Sequence, residues 1–200
     1  PGLISLSREF IIVSDYLNTL DKIVDFALTK DIKCVVIGPE DPLSLGFSDI
    51  FWKKGIPVVG PLKLHAQIET SKGFTRDLLN KNKINVSPKY QRFESMNGVE
   101  DFISFLSGNY VVKYDGLMGG KGVKVSGEHL LSVQEGIEYC NELIRKGGSF
   151  VIEEKLMGEE FSLMSFCDGK SIAHMPAVQD HKRAYEGDTG PNTGGMGCYT

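Results

Sequence analysis

Two hundred residues are enough for one or two domains, and 41% hydrophobic with 24% charged side chains is an ordinary globular mixture that can bury a core. A net charge of −4 argues against a nucleic-acid or membrane-surface binder, both of which need a basic face. The four cysteines, Cys34, Cys140, Cys167 and Cys198, are far apart with no CxxC spacing, so neither a zinc site nor a disulfide framework is indicated and reduced thiols in a cytoplasm fit best. No apolar run approaches the ~20 residues of a membrane span, and no signal peptide is recognised. The chain opens on Pro-Gly and stops at Cys198-Tyr199-Thr200, which reads as a piece of a longer protein.

Leu20, Ile23, Val24, Ala27 and Leu28 recur at helical spacing, with Asn18 or Thr19 as the cap. Lys33 to Ile37 reads as a short buried strand, and Gly38-Pro39-Glu40-Asp41-Pro42 as a turn at its carboxyl end. A helix through Ile50-Phe51-Trp52 ends at Gly55, and a strand from Ile56 to Val59 is closed by Gly60-Pro61. Helix, strand, helix, strand is the rhythm of a doubly wound parallel α/β sheet. Ligands of such sheets sit outside the carboxyl ends of strands, which gives Gly38-Pro39-Glu40 a functional reading beside that of a tight turn.

A short helix runs to Glu69. A second, Lys72 to Lys81, is capped by Ser71 and turns Phe74, Leu78 and Leu79 inward. Lys72 then stands in the first turn, where a cation opposes the helix dipole and an anionic ligand would compensate. From Lys89 the pattern becomes α+β: a strand Tyr90 to Phe93, a helix Val99 to Leu106, a hairpin, a helix Leu130 to Arg145 and a strand Phe150 to Glu154. This order looks like a small lid domain.

The hairpin, Tyr110 to Val125, carries the densest signal. An apolar run delivers Lys113. A loop with Gly116, Gly119 and Gly120 carries Lys121, and a second strand leaves from Gly122 through Val123. Glycines let backbone N–H groups approach a phosphate, and the lysines add charge. Taken alone, the same stretch also reads as a solvated hairpin. The segment 115–122 is expected to open readily without a nucleotide. Glu153 and Glu154 end an apolar strand and point to opposite faces, so one of them meets solvent or a ligand. The backbone there can read an adenine edge, with Leu156 packing on the ring and Glu160 accepting from a ribose.

Phe161 to Cys167 and Lys170 to His174 pair across Asp168-Gly169, a two-residue type I′ turn signal. Asp180-His181-Lys182-Arg183 is a dense charged cluster, and Gly187 to Gly197 reads as a long polar glycine-rich loop. There is no GxxxxGK[ST] and no nucleophile elbow, and the histidines form no metal triad. What remains is a set of anion handles, which is what phosphoryl transfer needs.

These strings resemble an ATP-grasp enzyme, and more closely the phosphoribosylamine–glycine ligase family. The glycine loop, Ser71-Lys72, Lys113 and Glu153-Glu154-Lys155-Leu156 are shared by ATP-grasp relatives. The cluster 180–183 with Asp188-Thr189-Gly190-Pro191-Asn192-Thr193-Gly194-Gly195-Met196-Gly197 is more specific. The resemblance implies a partial doubly wound domain over 1–60 lacking its first strand. An ATP-grasp domain would start at 61–88, with a lid subdomain at 89–155 and an incomplete central part at 156–200. It implies ATP-dependent joining of glycine to 5-phosphoribosylamine in purine biosynthesis, through a glycyl phosphate. Lys72, Lys113, Gly119, Gly120, Lys121, Gly122 and Val123 would hold the ATP phosphates. Glu153, Glu154, Lys155 and Leu156 would read the adenine and Glu160 the ribose. Asp180, His181, Lys182, Arg183, Asn192, Gly194 and Gly195 would carry the chemistry, and Gly38, Pro39, Glu40, Pro191 and Thr193 would meet the substrates. Mg2+ is implied with its acidic ligands outside these residues, so residues 1–200 alone are expected to be inactive; the longer chain could carry further purine-pathway domains. Tyr114 and Met118 stand where the family has small residues. Other ATP-grasp carboxylate–amine ligases or carboxylases, and a non-catalytic nucleotide-binding module, are the competing expectations.

Overall fold

The computed structural model describes residues 20–118, 122–187 and 189–200, in two compact units, Pro1–Thr70 and Ser71–Thr200. In the first unit, α1 (Leu20–Thr29) leads to β1 (Val35–Val36), α2 (Glu40–Leu45), α3 (Phe47–Lys53), β2 (Val58–Val59) and α4 (Lys63–Thr70). β1 and β2 are parallel, Val35 opposite Val58 and Val36 opposite Val59, as the alternating rhythm predicts. Val24, Ala27, Phe51 and Ile56 form the core, with Leu20, Ile23, Val35, Ile50 and Val58 packed around them. Leu28, the last residue of the apolar repeat, is exposed; it falls beyond the edge of the stripe that Val24 and Ala27 bury. The expected caps Asn18 and Thr19 lie outside the described residues.

The turn expected at 38–42 is only half a turn. Gly38 and Pro39 are irregular, but Glu40 already opens α2, with Pro39 extended at φ −81 and ψ 153 as its cap. Pro42 sits in the first turn of α2, where a missing N–H costs nothing. Gly46 at φ +89 ends α2 and opens α3, a left-handed conformation that lets one residue join two helices.

In the second unit, α5 (Lys72–Lys81) is followed by β3 (Tyr90–Phe93), α6 (Val99–Phe105), β4 (Tyr110–Tyr114), β5 (Val123–Val125), α7 (Val133–Arg145) and β6 (Phe150–Glu154). Ser71 caps α5, its Oγ accepting from Phe74 N at 3.1 Å, and Ser132 caps α7 by accepting from Glu135 N at 3.2 Å. The four strands form an antiparallel sheet in the order β3-β6-β4-β5. Register then sorts the side chains. Phe93, Tyr110, Val112, Phe150 and Ile152 share the face covered by Val99, Ile103 and Leu106 of and after α6 and by Cys140 and Leu143 of α7. Tyr90, Arg92, Val111, Lys113, Val151 and Glu153 share the other.

Two hairpins complete the unit. β7 (Ser165–Cys167) pairs with β8 (Ile172–His174). Cys167 lies opposite Ile172, so the loop is residues 168–171 rather than the expected two-residue turn. Asp168 Oδ1 accepts from Lys170 N at 2.9 Å and Ser171 N at 2.7 Å, closing a wider loop than a type I′ turn. The glycine-rich stretch expected as a loop is instead a strand. β9 (Gln179–Tyr185) pairs antiparallel with β10 (Thr189–Tyr199), with register shifts between Thr189 and Asn192 and between Asn192 and Gly197. Glycine weakens a strand but does not forbid one, and bulges absorb the surplus residues.

Candidate nucleotide site

The site is built around Glu153. Its position on β6 puts it on the sheet face that lacks α6 and α7, yet its side chain is only 2% exposed because α5 covers it. Arg76 of α5 grips both oxygens, Nε to Oε1 at 2.7 Å and Nη2 to Oε2 at 3.1 Å. Lys113, two residues along the neighbouring strand on the same face, donates to Oε2 at 2.6 Å. Burial pushes the Glu153 carboxyl up, but the Arg76 hydrogen bonds and the Lys113 charge prevail and hold it below the ordinary glutamate range. Two cations and one anion leave this cluster with one net positive charge. The Lys113 side chain is 27% exposed, and Val123 lies opposite it on β5.

The foot of the glycine loop is tied to the start of α5. Asp115 Oδ1 accepts from Ser71 Oγ at 3.0 Å and from Gly73 N at 3.1 Å, and Arg92 Nε stands 3.4 Å from Oδ2. Asp115 is 2% exposed. The anion expected from a ligand at this helix start is therefore supplied in part by the chain itself. Lys72 Nζ donates to Gly116 O at 3.1 Å, which places Lys72 at the foot of the loop, while the Lys113 ammonium is held on Glu153. The readiness to open expected for 115–122 does not extend to Asp115, because a carboxylate buried against two donors and a guanidinium is an anchor. Gly122 O accepts from Tyr114 N at 2.8 Å. Gly119, Gly120 and Lys121 lie outside the described residues. Tyr114, the bulky departure, is accommodated by glycines: a Cβ at Gly116 or Gly148 would stand 2.7 or 2.5 Å from its ring.

Glu154 and Glu153 do face opposite ways. Glu154 Oε2 accepts from Lys89 N at 3.3 Å, on the side of an open depression of about 520 Å³ that also includes Asn109, Lys155 and Met157. Lys155 turns toward the segment after β5, donating to Ser126 O at 3.3 Å and Glu128 at 3.0 Å, while Leu156 is exposed. Glu128 also accepts from Arg183 Nη2 at 2.8 Å. The Lys155 hydrogen bond, with that from Arg183, outweighs burial and lowers the Glu128 pKa. Arg183 Nη1 donates to Gly190 O at 2.8 Å, a bond from β9 to β10. Lys182 pairs with Glu160 and stands 3.8 Å from Asp180; the Glu160 hydrogen bond raises its pKa against the opposing effect of burial.

His181 is exposed and stacks on Tyr199, ring centroids 5.7 Å apart. Thr193 Oγ1 donates to Lys182 O at 2.9 Å and accepts from Gly195 N at 3.0 Å. Asn192 is opposite Arg183 in register, Gly194 lies within β10, and Pro191 is exposed. The expected residues thus do not all come together: Lys113 and Glu153 share one sheet face, Glu154 lies on the other beside the depression, and the cluster 180–183 sits on the hairpin, tied to Lys155 through Glu128. Gly38, Pro39 and Glu40 belong to the other unit. Sequence reasoning missed Arg76 and Glu128. Arg76 had a signal, standing four residues after Lys72 and so on the same side of α5; Glu128 had none.

Both parts of the chain match models of one family: residues 3–69 the phosphoribosylglycinamide synthetase N domain, and residues 70–200 the phosphoribosylglycinamide synthetase ATP-grasp (A) domain. The chain belongs to the phosphoribosylglycinamide synthetase family. It is 48% identical over 200 residues to a phosphoribosylamine–glycine ligase of Methanosarcina barkeri, covering 100% of this chain and 45% of that protein. It is 47% identical over 207 residues to the enzyme of that name from Methanococcus vannielii, covering 100% of this chain and 46% of that one. The chain therefore spans less than half the length of these relatives. The crystal structure of phosphoribosylamine–glycine ligase from Thermotoga maritima matches with a TM-score of 0.70 and 34% identity, over 87% of this chain and 43% of that one. A D-alanine–D-alanine ligase from Bacillus anthracis complexed with ATP matches with a TM-score of 0.62 at 21% identity, over 85% of this chain and 54% of that one, a likeness of fold alone. The architecture is that of the ATP-grasp ligases, as the motifs of this family member predict. Among the described residues no helix is long and apolar enough to cross a membrane.

The family implies magnesium. Among the described residues no group of three or more His, Cys, Asp or Glu side chains could hold a metal ion. The carboxylates near Lys113 and the hairpin are already engaged: Glu153 by Arg76 and Lys113, Asp115 by α5, Glu128 by Lys155 and Arg183, and Glu160 by Lys182. Held by cations or by the start of α5, these four carboxylates do not fit a magnesium site.

Proposed function

We propose that this chain is the nucleotide-binding portion of an ATP-dependent ligase that joins glycine to 5-phosphoribosylamine. ATP phosphorylates the glycine carboxylate, giving glycyl phosphate and ADP. The amine of 5-phosphoribosylamine then attacks the acyl carbon, releasing phosphate and leaving glycinamide ribonucleotide. The observation that carries the reading is that one family's two domain models together cover residues 3–200 of this chain. The geometry supports it: Lys72 bonds to the foot of the glycine loop, Lys113 stands at the end of the strand that enters it, and Lys113, Arg76 and Glu153 together carry a net positive charge, as polyphosphate binding requires.

In this reading Lys72, Lys113 and the loop through Gly122 and Val123 bind the ATP phosphates, with residues 89–155 as the lid. Glu154, Lys155 and Leu156 border the adenine and Glu160 the ribose. Glu153 is assigned to holding Lys113, because its carboxylate is enclosed by cations. Lys182, Arg183 and the backbone of 191–195 stabilise the acyl phosphate, and Gly38 to Glu40 meet the phosphoribosylamine. A cytoplasmic setting is part of the proposal and rests on the scattered cysteines.

The test is phosphate release by the full-length protein. Turnover that needs ATP, glycine and 5-phosphoribosylamine together is expected. ATP binding with no turnover under any substrate combination would favour a non-catalytic nucleotide module, and turnover with another carboxylate would favour a different ligase.

A further inference from the structure

We infer that Arg76 is a positioning residue for nucleotide binding: by neutralising Glu153 it leaves Lys113 a net positive charge to offer a phosphate. The inference rests on the nucleotide-site reading above and goes beyond it, since Arg76 is remote from the glycine loop in sequence.

Both cations meet on one oxygen of Glu153. Glu153 Oε2 accepts from Lys113 Nζ at 2.6 Å and from Arg76 Nη2 at 3.1 Å, while Arg76 Nε takes Oε1 at 2.7 Å. The fork is bidentate, the strongest arrangement a carboxylate and a guanidinium can make. With Arg76 in place the three groups sum to one positive charge. Without it Lys113 and Glu153 sum to zero, and the ammonium is drawn wholly onto a carboxylate that is 2% exposed. A polyphosphate would then meet a neutral pair instead of a cation. Arg76 itself is 21% exposed, on the side of α5 that covers β6, so its charge acts through Glu153. The alternative is that Arg76 merely pins α5 to the sheet.

The two are separated by charge rescue. Arg76→Met, Arg76→Lys and the double variant Arg76→Met with Glu153→Gln are made in the full-length protein. ATP is titrated by calorimetry, folding is checked by thermal melts, and the glycine KM is recorded. Arg76→Met is expected to weaken ATP binding by about tenfold or more and to leave the glycine KM unchanged. Arg76→Lys should stay within about threefold of wild type. The double variant, which restores one net positive charge, should recover most of the lost affinity. Wild-type ATP affinity in a folded Arg76→Met protein overturns the proposal, as does a double variant weaker than Arg76→Met. If Arg76→Met does not fold, a loss beyond tenfold in Arg76→Lys overturns it. A wild-type protein that binds no ATP overturns the nucleotide-site reading and this inference together, whereas normal wild-type binding with an indifferent Arg76→Met overturns this inference alone.

Discussion

Replacing Glu153 by Gln should destabilise the second unit far more than a surface substitution would. The side chain keeps its volume, so there is no cavity term. What changes is that Arg76 and Lys113 lose the carboxylate that joins them. Removing one member of a buried ion pair costs about 3–5 kcal/mol, because the partner's charge is left uncompensated. Here the two cations are 21% and 27% exposed and can recover some hydration, so the expected loss is about 2–3 kcal/mol. For a chain of this size that is a fall in Tm of roughly 4–12 °C.

The pH dependence carries a sign. The Glu153 pKa is held below the ordinary glutamate value of 4.5 in the folded state. Its contribution is therefore fully present above that value and is lost as pH falls through the folded pKa. Urea melts of wild type and variant at pH ~7 and at steps below ~4.5 should show a stability gap that is constant at first and narrows in acid. A gap under about 0.5 kcal/mol at neutral pH, or one that does not narrow in acid, would refute the reasoning.

The helix interior offers a second test. Gly136 of α7 stands where a Cβ would lie 1.9 Å from the Tyr110 hydroxyl, so Gly136→Ala should lower the Tm despite the ~1 kcal/mol of helix propensity it gains. The buried Tyr110 hydroxyl has no hydrogen-bond partner among the described residues, so Tyr110→Phe should leave stability unchanged or raise it and should relieve part of the Gly136→Ala loss; additive losses in the double variant would count against this. Burial pushes the Cys140 thiol up to about 12, so Cys140 should resist thiol reagents in the native protein and react only after denaturation, as mass spectrometry of labelled peptides would report. Asp115→Ala removes the acceptor of Ser71 Oγ and Gly73 N and should cost about 1–2 kcal/mol in urea melts, with faster hydrogen exchange at the start of α5. An unchanged exchange rate there would mean that Ser71 caps the helix unaided.

Local periodicity and end signals were enough for most elements. Ser71 before Lys72 to Lys81 marked α5 to the residue, and Tyr90 to Phe93 and Phe150 to Glu154 were legible as strands because their apolar runs are short and bounded. The misreadings came where a residue type has weak preferences. Glycines from 187 to 197 suggested a loop, but backbone pairing with β9 does not need side chains. Asp168-Gly169 suggested a two-residue turn, but the pairing of Cys167 with Ile172 widened it.

For the site, the sequence by itself determined the chemistry on offer: the lysines, the glycine loop, the carboxylates at a strand end, and through their spacing the ATP-grasp resemblance. It also determined that Glu153 and Glu154 face opposite ways, because a strand alternates. Only the tertiary structure decided which of the two is buried and what neutralises it. That depended on α5 lying across β6, 77 residues away in the chain, so that Arg76 meets Glu153. It also decided that Asp115 anchors the loop and that Glu128 joins Lys155 to Arg183. Charge pairing across such separations leaves no local trace, because a buried carboxylate is paired by whichever cation the packing brings within about 3 Å.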